Sequence, residues 1–239
     1  MKWILERPIA HRGLHSGYTI PENSMVAFEA AIKHNYPFEL DIHLLADDNL
    51  AVFHDEHLDR ATGVKGAISA QNRLQLKKLR LFQSDQSIPL LDDVLDLVNG
   101  QVPILIEIKN RNTVGRFESV LWQKLSDYRG EYAVQSFNPF SMSWFRKHAP
   151  IVPRGQLSCD FRYVELSRTK KFLLKNLLIN WASAPDFIAY DISALPYFAT
   201  DLAQTLGLPI IAWTIRNQQQ QAKAQKVANN IIFEQIKPL

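Results

Sequence analysis

The 239-residue chain holds a single cysteine, Cys159, so no disulfide framework can form within it. No apolar run approaches the roughly 18 residues of a membrane span, and no stable membrane insertion is expected. The opening residues Lys2-Trp3-Ile4-Leu5-Glu6-Arg7-Pro8 lack an apolar stretch and a small-residue cleavage site. They do not read as a signal peptide, and the cytoplasm is the expected compartment. Glycine (9) and proline (12) follow no repeat, which excludes collagenous and low-complexity classes. Neither sign of charge dominates: 27 basic against 24 acidic residues leave +3. The basic residues are scattered, with one cluster at Lys77, Lys78 and Arg80 and a smaller one at Arg168, Lys170 and Lys171. A nucleic-acid partner is therefore not expected. No Gly-x-Gly-x-x-Gly follows the first apolar run, which weighs against dinucleotide binding. No Gly-x-Ser-x-Gly surrounds Ser136, Ser143 or Ser158, which weighs against a serine hydrolase.

What is present is a chain 46% hydrophobic, long enough to bury a full core as one domain over residues 1–239. Short apolar runs predict eight strands at 8–11, 37–44, 103–109, 131–136, 151–156, 187–190, 209–213 and 230–233. Several are apolar almost throughout, as strands covered on both faces are. Helical periods lie between them: Met25, Phe28, Ala31 and Ile32 on one face; Leu91, Val94, Leu95 and Val98 on another. A third face takes Val114, Phe117, Leu121, Leu125 and Tyr128. Asn138-Pro139 reads as a helix cap with proline at the first position, and 218–227 as a weakly amphipathic helix. This alternation predicts an α/β class with a parallel sheet, closed as a (β/α)8 barrel (TIM barrel). An open doubly wound sheet is the alternative. Residues 55–89, between the second strand and its helix, exceed an ordinary loop and read as an insertion over the barrel mouth. The chain runs only a few residues past its last strand, so a truncated final helix is expected.

Glu39 and Asp41 lie two apart on the second strand and share a face, with His43 next on it. Glu107 and Lys109 repeat that spacing on the third. Three converging carboxylates repel one another, and a cation relieves the repulsion. Oxygen ligands suit Mg2+ or Ca2+ rather than zinc. Read alone, Glu107 and Lys109 could equally be a surface pair at a strand end. His11 closes the first strand, where a side chain is placed for proton transfer, and the planar fork of Arg12 matches phosphate oxygens; read alone, the pair is more simply a loop histidine and a surface arginine. Leu50, Val52 and His54 share a face, so a second histidine reaches the same mouth. Asp55 either orients that imidazole or caps the turn. His57 could add a His-x-x-His pair, but the segment reads as a turn. His15, His34, His148 and Cys159 read as structural.

Taken together, His11-Arg12-Gly13, Pro21-Glu22-Asn23-Ser24, Glu39-Leu40-Asp41, Val52-Phe53-His54-Asp55, Leu58-Asp59-Arg60-Ala61-Thr62-Gly63 and Glu107-Ile108-Lys109 resemble the glycerophosphodiester phosphodiesterase family. Gln135-Ser136-Phe137 and Ala212-Trp213-Thr214 fit as well. The resemblance covers nearly the whole chain. It implies a (β/α)8 barrel that hydrolyses glycerophosphodiesters, its small-molecule substrates, to an alcohol and glycerol 3-phosphate with a divalent cation. It implies Glu39, Asp41 and Glu107 as metal ligands, and His11 and His54 as acid and base. Arg12 and Lys109 are implied as phosphate contacts, Glu22 and Asn23 as shapers of the site, and Phe137 and Trp213 as pocket lining. No feature of the sequence sets an oligomeric state.

Some positions depart from the family pattern. Ser24 replaces a common threonine, His43 and Leu45 stand where other residues are usual, and Phe233-Glu234 replaces a Thr-Asp pair. The last change points at substrate choice. A rival reading, a lysophospholipase D-like phosphodiesterase, needs an apolar path, for which Leu74, Leu76, Leu79, Leu81 and Phe82 are candidates. Packing is the expected role of those residues. A phosphate-binding barrel without activity is disfavoured, since every acid, base and ligand is present.

Overall fold

The structure, a computed structural model, describes residues 2–238. Residues 1 and 239, the ends of the expected domain, lie outside them. Strands form where the apolar runs predict, in two units: Ile9–Tyr132, and Ala133 onward with the residues through Pro8.

In the Ile9–Tyr132 unit, β1 (Ile9–Ala10) and β4 (Ile104–Ile108) flank β2 (Phe38–Leu44), both parallel to it. All of β4 and all but the last residue of β2 are buried, so neither strand has a polar face on the solvent side. The register places Asp41 beside Glu107. The run at 50–53 proves to hold a ninth strand, β3 (Leu50–Val52), antiparallel to β2. Asp48, at φ 60°, makes the return turn between them. The helix Met25–Lys33 is capped by Ser24, whose Oγ accepts from Ala27 N at 3.3 Å. The face over Leu91–Val98 is buried at all four expected positions. The third expected helix spans Arg116–Leu125; Phe117, Leu121 and Leu125 are buried, while Val114 and Tyr128 fall outside it. Gly115 sits between Val114 and the helix at φ 142°, which ends the regular backbone there.

The long segment after β3 carries only short helices, Asp59–Thr62 and Arg73–Leu76, with two 3-10 turns. It is nonetheless packed. Leu58, Ala61, Ile68, Leu76, Leu81 and Ile88 form a cluster with Leu45, Ala51, Phe53 and Leu90. Leu79 and Phe82 pack against its edge, and Leu74 alone of the five candidate lipid contacts stays well exposed, at 67%.

The second unit runs β5 (Tyr132–Ser136), β6 (Arg154–Ser158), β7 (Phe187–Asp191), β8 (Ile210–Ile215) and β9 (Asn230–Phe233), each parallel to the next. The strand expected at 151–156 begins three residues later. Ile151 is exposed in a turn, and Pro153 has no N–H for a ladder. The helix Pro139–His148 has the expected Asn138 cap and first-position proline. Gln218–Val227 buries only Gln221 and Ala224, as its weak amphipathy implies. A short helix, Trp3–Glu6, was not anticipated; Asn230 Nδ2 ties it to β9 by donating to Ile4 O and Arg7 O, each at 2.7 Å. Among the described residues no helix follows β9, and none is long and apolar enough to cross a membrane.

Candidate active site

Glu39, Asp41 and Glu107 are buried, and one oxygen of each lies within 4.8 Å of the others. They are the only such group of three among the described residues. Glu39 Oε1 is buried with no hydrogen-bond partner. An orphaned carboxylate oxygen in an all-oxygen cluster is what a Mg2+ or Ca2+ site needs. Burial, then Asp41 and Glu107, push the Glu39 carboxyl well above its ordinary value. Burial also acts upward on Asp41, but Lys109, then His54 and Arg12, outweigh it and hold that carboxyl well below the usual range. Two acids two residues apart on one strand are thus pushed in opposite directions.

Two cations sit against these acids. Lys109 Nζ lies 2.7 Å from Glu107 Oε1 and 2.9 Å from Asp41 Oδ1. Burial alone would lower its pKa, yet Asp41 and Glu107 raise it, so the ammonium stays charged. Arg12 donates its backbone N–H to Glu39 Oε2 at 3.0 Å, with Nε 3.4 Å from Asp41 Oδ2. Arg12 takes φ 54° and the next residue, Gly13, φ 79°, a pair of left-handed residues that ends β1 and turns the arginine back over the acids. A Cβ on Gly13 would lie 2.9 Å from the Ala27 backbone. Gly13→Ala is therefore expected to cost at least about 1–2 kcal/mol of stability from backbone strain alone, read as a lower urea midpoint.

The loop residues Glu22 and Asn23 act on the same group. Asn23 Nδ2 donates to Asp41 Oδ2 at 2.8 Å, and Arg12 Nη1 donates to Glu22 Oε1 at 3.0 Å.

His11 is buried, its Nε2 3.9 Å from Glu39 Oε2. His54 is half-buried, with Nδ1 2.6 Å from Asp55 Oδ1. Asp55 therefore orients the imidazole, the first of the two roles open to it from the sequence. Two further residues join the site. Arg60 donates Nε to Asp55 Oδ2 and Nη2 to Glu22 Oε1, each at 2.6 Å. His43 Nε2 lies 3.2 Å from the His54 carbonyl oxygen. Burial lowers His43 to about 4, so it is a neutral ring near pH 7 and a support for His54. His43 was on the face of Glu39 and Asp41 in the sequence, and Arg60 falls in the 58–63 motif, but the sequence did not give the partner of either.

His57 is exposed, and no metal cluster includes it. His34 caps the end of one helix and His148 is the last residue of another, which fits their structural reading. Phe137 and Trp213 lie in the second unit, edge-on at 5.7 Å, with Phe161 6.1 Å beyond Phe137. Phe233 is buried in β9, and the Glu234 carboxylate pairs with Arg216. Burial pushes the Cys159 thiol up to about 11. Iodoacetamide at pH 8 is thus expected to alkylate it roughly 100-fold more slowly than an ordinary thiol, as mass spectrometry over time will show.

Residues 11–234 match the model of the glycerophosphoryl diester phosphodiesterase family. The Bacillus subtilis (strain 168) protein YhdW is 31% identical over 228 residues, covering 91% of this chain and 89% of that protein. A glycerophosphodiester phosphodiesterase of Bacillus altitudinis is 34% identical over 163 residues, 63% of this chain and 66% of its own length. Among solved structures, an Oleispira antarctica phosphodiesterase in complex with its product sn-glycerol-3-phosphate superposes with a TM-score of 0.79. It is 20% identical, over 95% of this chain and 92% of that one. At that identity the likeness speaks for the fold, the (β/α)8 barrel expected from the sequence.

Proposed function

Because the chain belongs to the glycerophosphoryl diester phosphodiesterase family, and so is a phosphoric diester hydrolase, we propose that it cleaves glycerophosphodiesters to an alcohol and glycerol 3-phosphate, with Mg2+ or Ca2+ held by Glu39, Asp41 and Glu107. One observation carries the reading: three buried carboxylates, one with an orphaned oxygen, converge beside two histidines, an arginine and a lysine.

The cation, when bound, supplies positive charge where negative charge grows on the phosphoryl group and lowers the pKa of a nearby hydroxyl. Arg12 and Lys109 hold phosphoryl oxygens, and such preorganised charge is usually the largest catalytic term. His11 takes the proton of the attacking hydroxyl, the substrate's own 2-hydroxyl. The new O–P bond forms as the bond to the head-group oxygen breaks. His54 gives that oxygen a proton, which it needs because a simple alkoxide leaves slowly. Water then opens the cyclic phosphate, with the two histidines in exchanged roles. Glu22 holds Arg12, and Asn23 holds Asp41.

The test is release of glycerol 3-phosphate from glycerophosphocholine by the intact protein, with Mg2+, with Ca2+ and with chelator. Metal-dependent release supports the reading. No release from this or other glycerophosphodiesters, with turnover of a lysophospholipid instead, replaces it with the lysolipid one. The packing of Leu76, Leu79, Leu81 and Phe82 argues against that outcome.

A further inference from the structure

Arg60 lies on the inserted segment and ties two parts of the site together. Its guanidinium spans Asp55 and Glu22, one nitrogen to each, both at 2.6 Å. Asp55 offers its other oxygen to His54 Nδ1 at 2.6 Å, and Glu22 Oε1 also receives Arg12 Nη1 at 3.0 Å. A continuous line of charged contacts therefore runs from His54 through Asp55, Arg60 and Glu22 to Arg12. The insert holds this guanidinium by its face as well. The Arg60 Cζ lies 5.3 Å from the centre of the Phe82 ring, and Tyr18 tilts against that ring at 5.9 Å. Phe82 carries φ 49° and Gln83 φ 61°, left-handed values rare for such side chains. A planar fork can serve two carboxylates and stack on a ring; a lysine ammonium cannot match that geometry.

We propose that Arg60 is a positioning residue: through Asp55 it aims His54, and it thereby makes the inserted segment part of the rate of leaving-group departure. The proposal rests on the reaction assigned above. With Asp55 anchored at its far oxygen, the His54 ring keeps Nδ1–H toward Asp55 and leaves Nε2 for the proton transfer. Without Arg60, Asp55 keeps only its contact with His54 among those named, and nothing fixes the angle at which it holds the ring.

The test compares two substrates in the intact protein. Glycerophosphocholine loses an alkoxide that needs a proton; glycerophospho-p-nitrophenol loses a phenolate that does not. Arg60→Met is expected to lower kcat about 100-fold on the first and less than about 5-fold on the second, in the range of a mis-set general acid. Arg60→Lys keeps the charge without the fork and regains about 10-fold at most. Asp55→Asn gives the same split, and adding it to Arg60→Met costs no more than about 3-fold further, because residues acting as a unit are not additive. Phe82→Leu, which leaves the ion pairs in place, shifts kcat in the same direction by a smaller factor and serves where Arg60→Met folds poorly.

Equal losses on the two substrates, or additive losses in the double variant, make Arg60 a structural residue and overturn the proposal. Full activity of His54→Ala on glycerophosphocholine strikes the reaction assignment itself, and is read separately from the Arg60 variants.

Discussion

Chelator is expected to reduce release of glycerol 3-phosphate from glycerophosphocholine by at least about 10²–10³-fold, the usual cost of losing even one preorganised electrostatic contact in a transition state. Mg2+ or Ca2+ restores it. The reason lies in the acids. Glu39, Asp41 and Glu107 bring three carboxyls together away from water, and Arg12 and Lys109 lie against them as counter-charges. Those two cations are also the groups proposed to hold the phosphoryl oxygens, a task that draws them away from the acids. A readout independent of turnover follows. A cation that binds the folded chain stabilises it by about 2.7 kcal/mol at one hundred times its dissociation constant. Thermal unfolding should therefore move up with Mg2+ or Ca2+ in the native protein and hardly at all in Asp41→Asn. Undiminished release in chelator, with no thermal response to either ion, removes the cation from the scheme.

The second large effect is expected from His11→Ala: a loss of about 10²–10⁴-fold in kcat, the range for a general acid or base, with much less change in KM. His11 is buried and 3.9 Å from a proposed metal ligand, so the truncation leaves a small polar cavity and removes the proposed base beside the acids. The route of attack has its own measurement. A glycerophosphodiester that lacks the 2-hydroxyl cannot form a cyclic phosphate and is expected to turn over at least about 10²-fold more slowly, since an intramolecular nucleophile carries a high effective concentration. A normal rate on that substrate assigns the attack to water, with His11 still its base. Activity of His11→Ala near that of the native protein sinks the assignment of His11 altogether.

Much of the site could be read from spacing because strands have a period of two. Glu39 and Asp41 fall on one face of β2 for that reason, and the parallel register then sets Glu107 beside Asp41. The eight parallel strands were legible because buried parallel strands are apolar runs. Short β3 was not among them: the alternation of Leu50, Val52 and His54 was legible, but three residues are too short to separate a strand from a loop. The start of β6 was misplaced because Ile151-Val152 reads as apolar strand, although the ladder begins only after Pro153. Arg60 was missed for a different reason. Its contact with Glu22 spans 38 residues and depends on how the inserted segment packs, which no local pattern encodes. Ser24, which keeps a hydroxyl where threonine is usual, caps its helix.

The proposed acids, histidines and phosphate contacts all fall between residues 11 and 109, within the unit Ile9–Tyr132. For laboratory evolution this divides the gene into two unlike targets. Random change in the first stretch strikes proposed ligands and proton donors directly. A library confined to the loops that follow β5 to β9 leaves each of them in place and can carry a far higher mutation load. Selecting such a library for growth on one diester as sole phosphorus source measures how much of the choice of substrate the C-terminal stretch encodes.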